Sequence, residues 1–179
     1  GYIAGNGDLV EVVADRMTAP GLGRELGPTY GLNRWILQGF WLAPHVVGEA
    51  LSGAILVARV MEDLGYSVSP RWDDIRGDIV QAVMLPSEDK LLTFCHNIQA
   101  ASPVDSFVQP VGGTMPGYED LVVMAGGTFI QGSTMELSAD GPLRAPYTAY
   151  LQGGLCKEHV ELALYRVLES LVTPPRANS

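Results

Sequence analysis

Positively charged residues are scarce in this sequence. Its 179 residues include 11 Lys and Arg against 20 Asp and Glu, which gives a formal net charge of −9 at pH 7. Proteins that bind DNA or RNA obtain much of their affinity from clustered Lys and Arg side chains that neutralise phosphates. The charge balance therefore argues against nucleic acid as a partner.

Cysteine and histidine are scarce as well. The two cysteines, Cys95 and Cys156, are too few for the disulfide framework of a small secreted protein, so we expect a reducing, cytoplasmic environment. The three histidines lie far apart and show no metal-ligand spacing, so we expect no metal site. Cys95 and His96 are neighbours, but adjacent helical residues point about 100° apart and cannot pair as nucleophile and base. Cys95 is therefore expected to be a structural core residue.

Long uncharged hydrophobic runs are also missing. Residues 45–64 form the only segment of near-membrane length, but His45, Glu49 and Arg59 interrupt it, and such side chains are costly inside a bilayer. We interpret this segment as a buried helix of a soluble domain and expect no membrane contact.

The first third of the sequence has helical periodicity. Apolar spacing predicts a helix over residues 9–17 with Asp8 as its N-cap. A second helical pattern begins at Asn33, and Pro44 predicts a kink or break there. The apolar stripe beyond Pro44 predicts a long helix that ends at Gly65, a residue suited to a left-handed C-cap.

The pattern changes after Tyr66, where we expect a second, smaller domain. Residues 78–85 are typical of a strand, and an amphipathic helix is predicted over 87–101. The last predicted helix begins near Lys157 and ends at the prolines that follow Thr173. Shorter strands are predicted at 107–111, 121–125, 134–137 and 147–151. Helices packed on a small sheet indicate an α/β or α+β fold, with domains at 1–64 and 65–179.

One polar stretch is unusual enough to be a candidate site. Residues 128–144, TFIQGSTMELSADGPLR, alternate polar side chains with glycines and a few apolar residues. Arg144 is its most informative member, because a guanidinium can hold a carboxylate through two parallel hydrogen bonds. A surface loop with ion pairs has a similar composition, so both readings stay open.

Five stretches of the sequence resemble a known family. They are GYIAG, RMTAPGLGRELG, LQGFWLAPHVVGEALSGA, GTFIQGSTMELSADGPLR and AYLQGG, and they follow one another from residue 1 to residue 154. They resemble the aluminium-resistance proteins related to methionine gamma-lyase and cystathionine beta-lyase, which are pyridoxal-phosphate enzymes of fold type I. The resemblance implies a C-terminal portion of such an enzyme, comprising the end of the large cofactor-binding domain with its long linking helix, and then the small domain.

The resemblance also implies that the cofactor lysine is not in this chain. In the family, the Schiff-base lysine directly precedes the residues that match Gly1 and Tyr2, so we expect it upstream of Gly1 in a missing N-terminal part. The only lysines, Lys90 and Lys157, stand at the starts of predicted helices and do not resemble the cofactor site.

Residue roles follow from the motif match. Arg144 is expected to bind the substrate carboxylate, although the better-known cystathionine lyases have an Arg where this sequence has Tyr150. The other residues implied in the site are Gln131, Ser133 and Thr134 as substrate-lining residues, and Gly1, Tyr2, Thr18 and Gln38 near the pyridoxal 5'-phosphate or the dimer edge.

The function implied is carbon–sulfur elimination from a sulfur amino acid such as cystathionine or methionine. Fold type I enzymes place each active site at a dimer interface, so a homodimer or homotetramer is expected. Two alternatives remain: a non-catalytic amino-acid-binding or assembly module, and an aminotransferase-like enzyme on the same scaffold, because a fold does not determine a reaction.

Overall fold

The structure is a computed structural model that describes residues 3–17, 31–130 and 134–172. It divides into two compact units, Gly1–Ala43 and Pro44–Ser179. The first unit contains helix α1 (Gly7–Met17) and the first part of the long helix α2 (Asn33–Asp63). The second unit contains the rest of α2, a sheet and two further helices. The domain division at residues 64 and 65 stays a prediction.

Helix α1 begins two residues earlier than predicted, and its cap is different. Asn6 Oδ1 accepts hydrogen bonds from the backbone N–H groups of Asp8 at 2.9 Å and Leu9 at 3.3 Å. A side chain that accepts from the second and third helical N–H groups is an N-cap, so Asn6 takes the position predicted for Asp8. Asp8 instead contributes a negative charge to the first turn, near the positive end of the helix dipole.

A kink or break was predicted at Pro44; helix α2 continues through it, so the break is wrong and the kink stays a prediction. Proline removes one backbone hydrogen bond, but a helix of 31 residues retains the others on both sides of it. The C-terminal end was predicted correctly. Gly65 has φ +87°, its N–H donates to Glu62 at 2.9 Å, and Tyr66 N–H donates to Met61 at 3.0 Å. This pair of bonds is a Schellman cap, which requires a left-handed residue and so favours glycine.

The apolar stripe of α2 is buried only in the second unit. Its buried residues are Ala50, Gly53, Ala54, Val57, Ala58 and Met61. By length and composition alone, α2 is the one helix among the described residues that could span a membrane, and 22% of its most apolar window is buried. The interpretation as a buried helix is therefore confirmed for the face between Ala50 and Met61.

The second unit is built on a five-stranded antiparallel sheet with the order β1-β2-β5-β4-β3. The strands are β1 (Ser67–Ser69), β2 (Gln81–Leu85), β3 (Val122–Gly126), β4 (Ser138–Pro142) and β5 (Tyr147–Gln152). Helices α3 (Glu88–Ala100) and α4 (Lys157–Val172) share a core with α2 and one face of the sheet. This mixture of helices and a small sheet confirms the predicted α+β composition.

The local predictions for α3 and two strands are confirmed. Helix α3 is capped by Ser87, whose side chain accepts from Lys90 N–H, and its apolar stripe faces the core. Strands β3 and β5 match the predicted segments to within a residue, and β2 occupies the second half of 78–85.

Two predicted strands are wrong, and two real strands were missed. Residues 107–111 form no strand, because Val108 N–H bonds back to Asp105 at 3.0 Å and Phe107 is 84% exposed. Residues 134–137 belong to the connection that precedes β4. The sequence of β4, SADGP, has low strand propensity, and it is a strand because β3 and β5 pair with it on both sides. Strand β1 has three residues, which is too short for a periodic pattern.

Candidate functional site

The β3–β4 hairpin separates two ends of the sheet. Gly126 lies opposite Ser138 and Ser138 opposite Gln152, and we call this the loop end because residues 127–137 connect the strands there. Val122 lies opposite Pro142 at the far end. The five residues of each strand place the two ends roughly 13 Å apart.

Of the predicted site residues in the described part of the sheet unit, Thr134 and Arg144 lie at different ends of the sheet. Thr134 is partly buried in the connection at the loop end, whereas Arg144 follows β4 at the far end. Gln38 is exposed on α2 in the first unit. The other predicted residues, Gly1, Tyr2, Thr18, Gln131 and Ser133, lie outside the described residues. The roles assigned to all of these residues stay predictions.

Arg144 forms an ion pair at the protein surface. Its Nε lies 2.8 Å from Asp120 Oδ2, and the two side chains are 59% and 43% exposed. Backbone bonds from Leu143 N–H to Leu121 and from Arg144 N–H to Pro142, both 2.8 Å, hold the segment. The structure therefore shows the ion pair that the composition of residues 128–144 had left open. A substrate carboxylate would have to replace Asp120 as the partner.

The loop end is braced by a buried glutamine that the sequence patterns did not single out. Gln99 on α3 is 4% exposed; its Oε1 accepts from Gly126 N–H at 2.9 Å and its Nε2 donates to Asp105 at 3.0 Å. Glu136 accepts from Thr128 N–H at 3.2 Å within the connection. In the sequence, the one sign of this role was that Gln99 is a polar residue next to the apolar stripe of α3. Gln99 thus fixes the end of β3 to α3, and Glu136 ties the two sides of the connection to each other.

An apolar cavity of about 160 Å³ opens beside the same connection. Its walls include His159, whose Nε2 lies 2.9 Å from the carbonyl oxygen of Ala101, so that nitrogen carries a proton and donates. The other lining residues are Pro103, Thr128, Phe129, Ile130, Met135 and Leu155. A cavity with apolar walls and few polar groups suits an uncharged side chain of a small ligand.

A second arginine lies at the loop end. Arg76, in the loop between β1 and β2, donates from Nη2 to Gln81 Oε1 at 2.5 Å. Gln81 is fully buried, and its Nε2 donates to the carbonyl oxygens of Pro70 and Ala82, each at 3.0 Å. Gln81 opens β2 opposite Leu151, which lies opposite Ala139, one row from the end of the sheet.

Cys95 is a core residue, as predicted. Its side chain is fully buried, and Sγ lies 3.8 Å from the carbonyl oxygen of Ala139. Burial, and secondarily the carboxylate of Asp140, raise the pKa of the Cys95 thiol to about 12. The neighbouring His96 instead places Nε2 2.7 Å from the carbonyl oxygen of Pro110. A neutral thiol without a base cannot serve as a nucleophile at physiological pH.

Tyr150 and Asp140 lie on the sheet face that is turned away from the core. They are opposite each other on β5 and β4, with Met124 opposite Asp140 on the other side. Tyr150 and Met124 remain 42% and 53% exposed. Burial raises the pKa of the Asp140 carboxyl, and among the described residues this carboxyl forms no hydrogen bond. Tyr150 therefore presents a half-exposed phenol beside the carboxyl group of Asp140.

Comparison with known proteins places this fold in a family. The methionine gamma-lyase family profile matches residues 1–172. The protein YnbB of Bacillus subtilis (strain 168), which is uncharacterized, is 48% identical over 172 residues, covering 96% of this chain and 41% of YnbB.

Solved structures of similar proteins share the fold. A Listeria monocytogenes protein, provisionally named a cystathionine beta-lyase involved in aluminum resistance, superposes with a TM-score of 0.85 at 46% identity over 93% of this chain and 41% of its own. A carbon-sulfur lyase involved in aluminum resistance from Clostridium novyi NT has a TM-score of 0.82 at 47% identity over 94% and 39%. The chain thus spans about two fifths of the length of these relatives. With a family profile matched along nearly all of its length, this chain belongs to the methionine gamma-lyase family.

Proposed function

We propose that this chain is part of a pyridoxal 5'-phosphate-dependent carbon–sulfur lyase of fold type I, acting on a sulfur amino acid of the cystathionine or methionine type. The family match over residues 1–172 carries this proposal. The name of the Clostridium novyi NT protein, a carbon-sulfur lyase, supports the reaction class.

The lysines of this chain do not fit the cofactor. Lys90 Nζ donates to the carbonyl oxygen of Leu171 at 3.3 Å, near the end of α4. Lys157 opens α4, where its backbone N–H donates to Glu49 at 2.8 Å, and neither lysine lines the apolar cavity. Since the relatives are more than twice as long, we propose that the Schiff-base lysine is supplied by sequence outside this chain. When bound, pyridoxal phosphate supplies the electron sink for elimination.

The part played by this chain is to receive and orient the substrate. The apolar cavity at the loop end accepts the uncharged thioether portion and keeps water away from it. The bonds from Gln99 and Glu136 hold the described parts of the connection in place, and this supports a substrate-lining role for Thr134. The same role for Gln131 and Ser133, which lie outside the described residues, rests on the family resemblance alone. Groups held by packing and hydrogen bonds lose little freedom when a ligand binds, which favours orientation.

The cofactor proposal is tested on the complete natural reading frame. The protein is treated with borohydride and digested, and mass spectrometry locates any lysine that carries a reduced pyridoxyl group. We expect one modified lysine outside residues 1–179, and no modification of Lys90 or Lys157. Protein that is digested without borohydride is the control. Absence of any modified lysine contradicts the lyase and favours a non-catalytic amino-acid-binding module.

Product analysis distinguishes elimination from transamination. With L-cystathionine or L-methionine, elimination releases a thiol, ammonia and a 2-oxo acid, whereas transamination transfers the amino group and releases no ammonia. We expect ammonia and thiol in equal amounts. A 2-oxo acid formed without either product would assign the aminotransferase-like reaction.

A further inference from the structure

Arg76 lies at the loop end of the sheet, where the connection between β3 and β4 is found. Its partner Gln81 belongs to the row Gln81–Leu151–Ala139, one residue from the loop end. Strands β2 and β4 are separated only by β5, which places them roughly 10 Å apart. Arg144 is at the opposite end of β4. Of these two arginines, Arg76 is the one that shares an end with Thr134.

The guanidinium of Arg76 has donors without acceptors. Its Nε and Nη1 atoms are buried and have no hydrogen-bond partner in the described part of the chain. Burial lowers the pKa of Arg76, an effect that Asp78 and Asp74 oppose. Buried donors of a charged group are normally paired, so two free ones indicate that a partner is missing.

The nearby carboxylates do not provide that partner. Asp74 Oδ2 accepts from Arg71 N–H at 2.7 Å, and Asp78 Oδ1 accepts from Val80 N–H at 2.8 Å. Both carboxylates thus stabilise the turns of the loop. Fully buried Gln81 is fixed by its bonds to the carbonyl oxygens of Pro70 and Ala82, and its Oε1 accepts one hydrogen bond from the guanidinium. The result is an oriented cation with free donors.

We infer that Arg76, rather than Arg144, binds the α-carboxylate of the amino-acid substrate. This inference rests on the proposed function and adds to it the residue that sets the orientation of the substrate. A guanidinium has several N–H donors in one plane and pairs strongly with carboxylates. A carboxylate at Arg76 leaves the substrate side chain free to extend towards the apolar cavity at the same end of the sheet.

Paired ligands test the inference in the complete reading frame. L-Norleucine and L-norleucinol differ in the carboxylate and have no sulfur to eliminate, so calorimetric titration gives the dissociation constant of each without turnover. We expect Arg76→Gln to weaken L-norleucine binding about 10- to 100-fold, the loss typical of hydrogen bonds to a charged group, and to leave L-norleucinol binding unchanged. Arg76→Lys, which retains the charge but not the planar fork, should lie in between.

Two further variants complete the design. Arg71→Gln is the matched control, because Arg71 is in the same loop, is 62% exposed and already pairs with Glu62 at 2.9 Å; it should bind both ligands as the unmodified protein does. Arg144→Gln is measured alongside. If it, and not Arg76→Gln, abolishes the preference for the carboxylate, the inference is wrong.

Other outcomes also overturn it. Equal loss of both ligands together with a lower melting temperature means that Arg76 is structural, with a buried water as its partner. Weaker binding of pyridoxal phosphate with the carboxylate preference intact means that Arg76 holds the cofactor phosphate. A modified lysine in the borohydride experiment combined with an unchanged preference refutes the role of Arg76 while the lyase stands.

Discussion

Asp140 shows how a single side chain can oppose folding at neutral pH. It lies on the face of the sheet away from the core, between Met124 and Tyr150, and burial raises its pKa. A raised pKa means that the folded state binds the proton more tightly than the unfolded chain does. At low pH the carboxyl is neutral and its burial does not lower the stability of the folded state. This part of the stability is lost as the pH rises through the folded-state pKa, because the carboxyl must then carry its charge while buried.

We expect Asp140→Asn to raise the melting temperature at pH 7, because the amide has no charge to bury. The gain should shrink as the pH falls through the raised pKa of the folded state and should vanish below about 4, where the carboxyl is mostly protonated in both states. Thermal unfolding followed by circular dichroism between pH 3 and pH 8 measures the difference. Glu119→Gln, at an exposed acid in the preceding loop, is the control. A difference that does not change with pH would contradict the assignment.

At the scale of elements, α2 and α4 approach closely at a glycine. A Cβ atom on Gly53 would lie 2.6 Å from Val160 Cγ2 and 3.0 Å from its Cβ, and Val160 is itself buried. Gly48, five residues earlier on the same helix, has nothing within 4 Å of the equivalent position. The two glycines therefore separate the effect of packing from the effect of helix propensity.

Gly53→Ala should destabilise the protein by about 1–2 kcal/mol, because overpacking outweighs the gain in helix propensity. Gly48→Ala should stabilise it by up to about 1 kcal/mol, since only the propensity changes. Urea unfolding of both variants measures the two free energies. If Gly53→Ala were as stable as Gly48→Ala, the close approach of α2 and α4 would be wrong.

At the scale of the whole molecule, the first unit leaves large apolar side chains uncovered. Trp35, Leu37 and Trp41 on α2 are 68%, 68% and 84% exposed. Leu37 and Trp41 are four residues apart and share a face of the helix, whereas Trp35 lies on another face. Neighbouring exposed apolar side chains of this size favour a contact with other protein. We propose that the remainder of the parent protein, or a second copy in a homodimer or homotetramer, covers these residues.

Comparing the chain of residues 1–179 with the complete reading frame tests whether other protein covers these apolar side chains. The chain of residues 1–179 should bind the dye ANS and self-associate, whereas the complete reading frame should bind little dye and elute as a dimer or tetramer in light-scattering chromatography. Trp41→Gln should lower dye binding by the short chain. Equal dye binding by both forms would show that this surface stays exposed.

The sequence alone was sufficient for features that depend on neighbouring residues. The helix over residues 87–101 with its apolar stripe and the left-handed Gly65 were predicted, because helical periodicity and C-capping act over a few residues. The family was also recognisable, since its motifs are themselves short stretches of sequence.

Only the tertiary structure decided which distant groups meet. Strand β4 has poor propensity and exists through its two neighbours, and Arg144 turns out to pair with Asp120, 24 positions away (144 − 120). The candidate site depends on the same kind of information. Arg76 looks like an ordinary loop arginine in the sequence, and its free donors become visible only when the sheet buries Gln81 beside it. Burial and cross-strand pairing arise from segments that the chain brings together on folding, so no local pattern contains them.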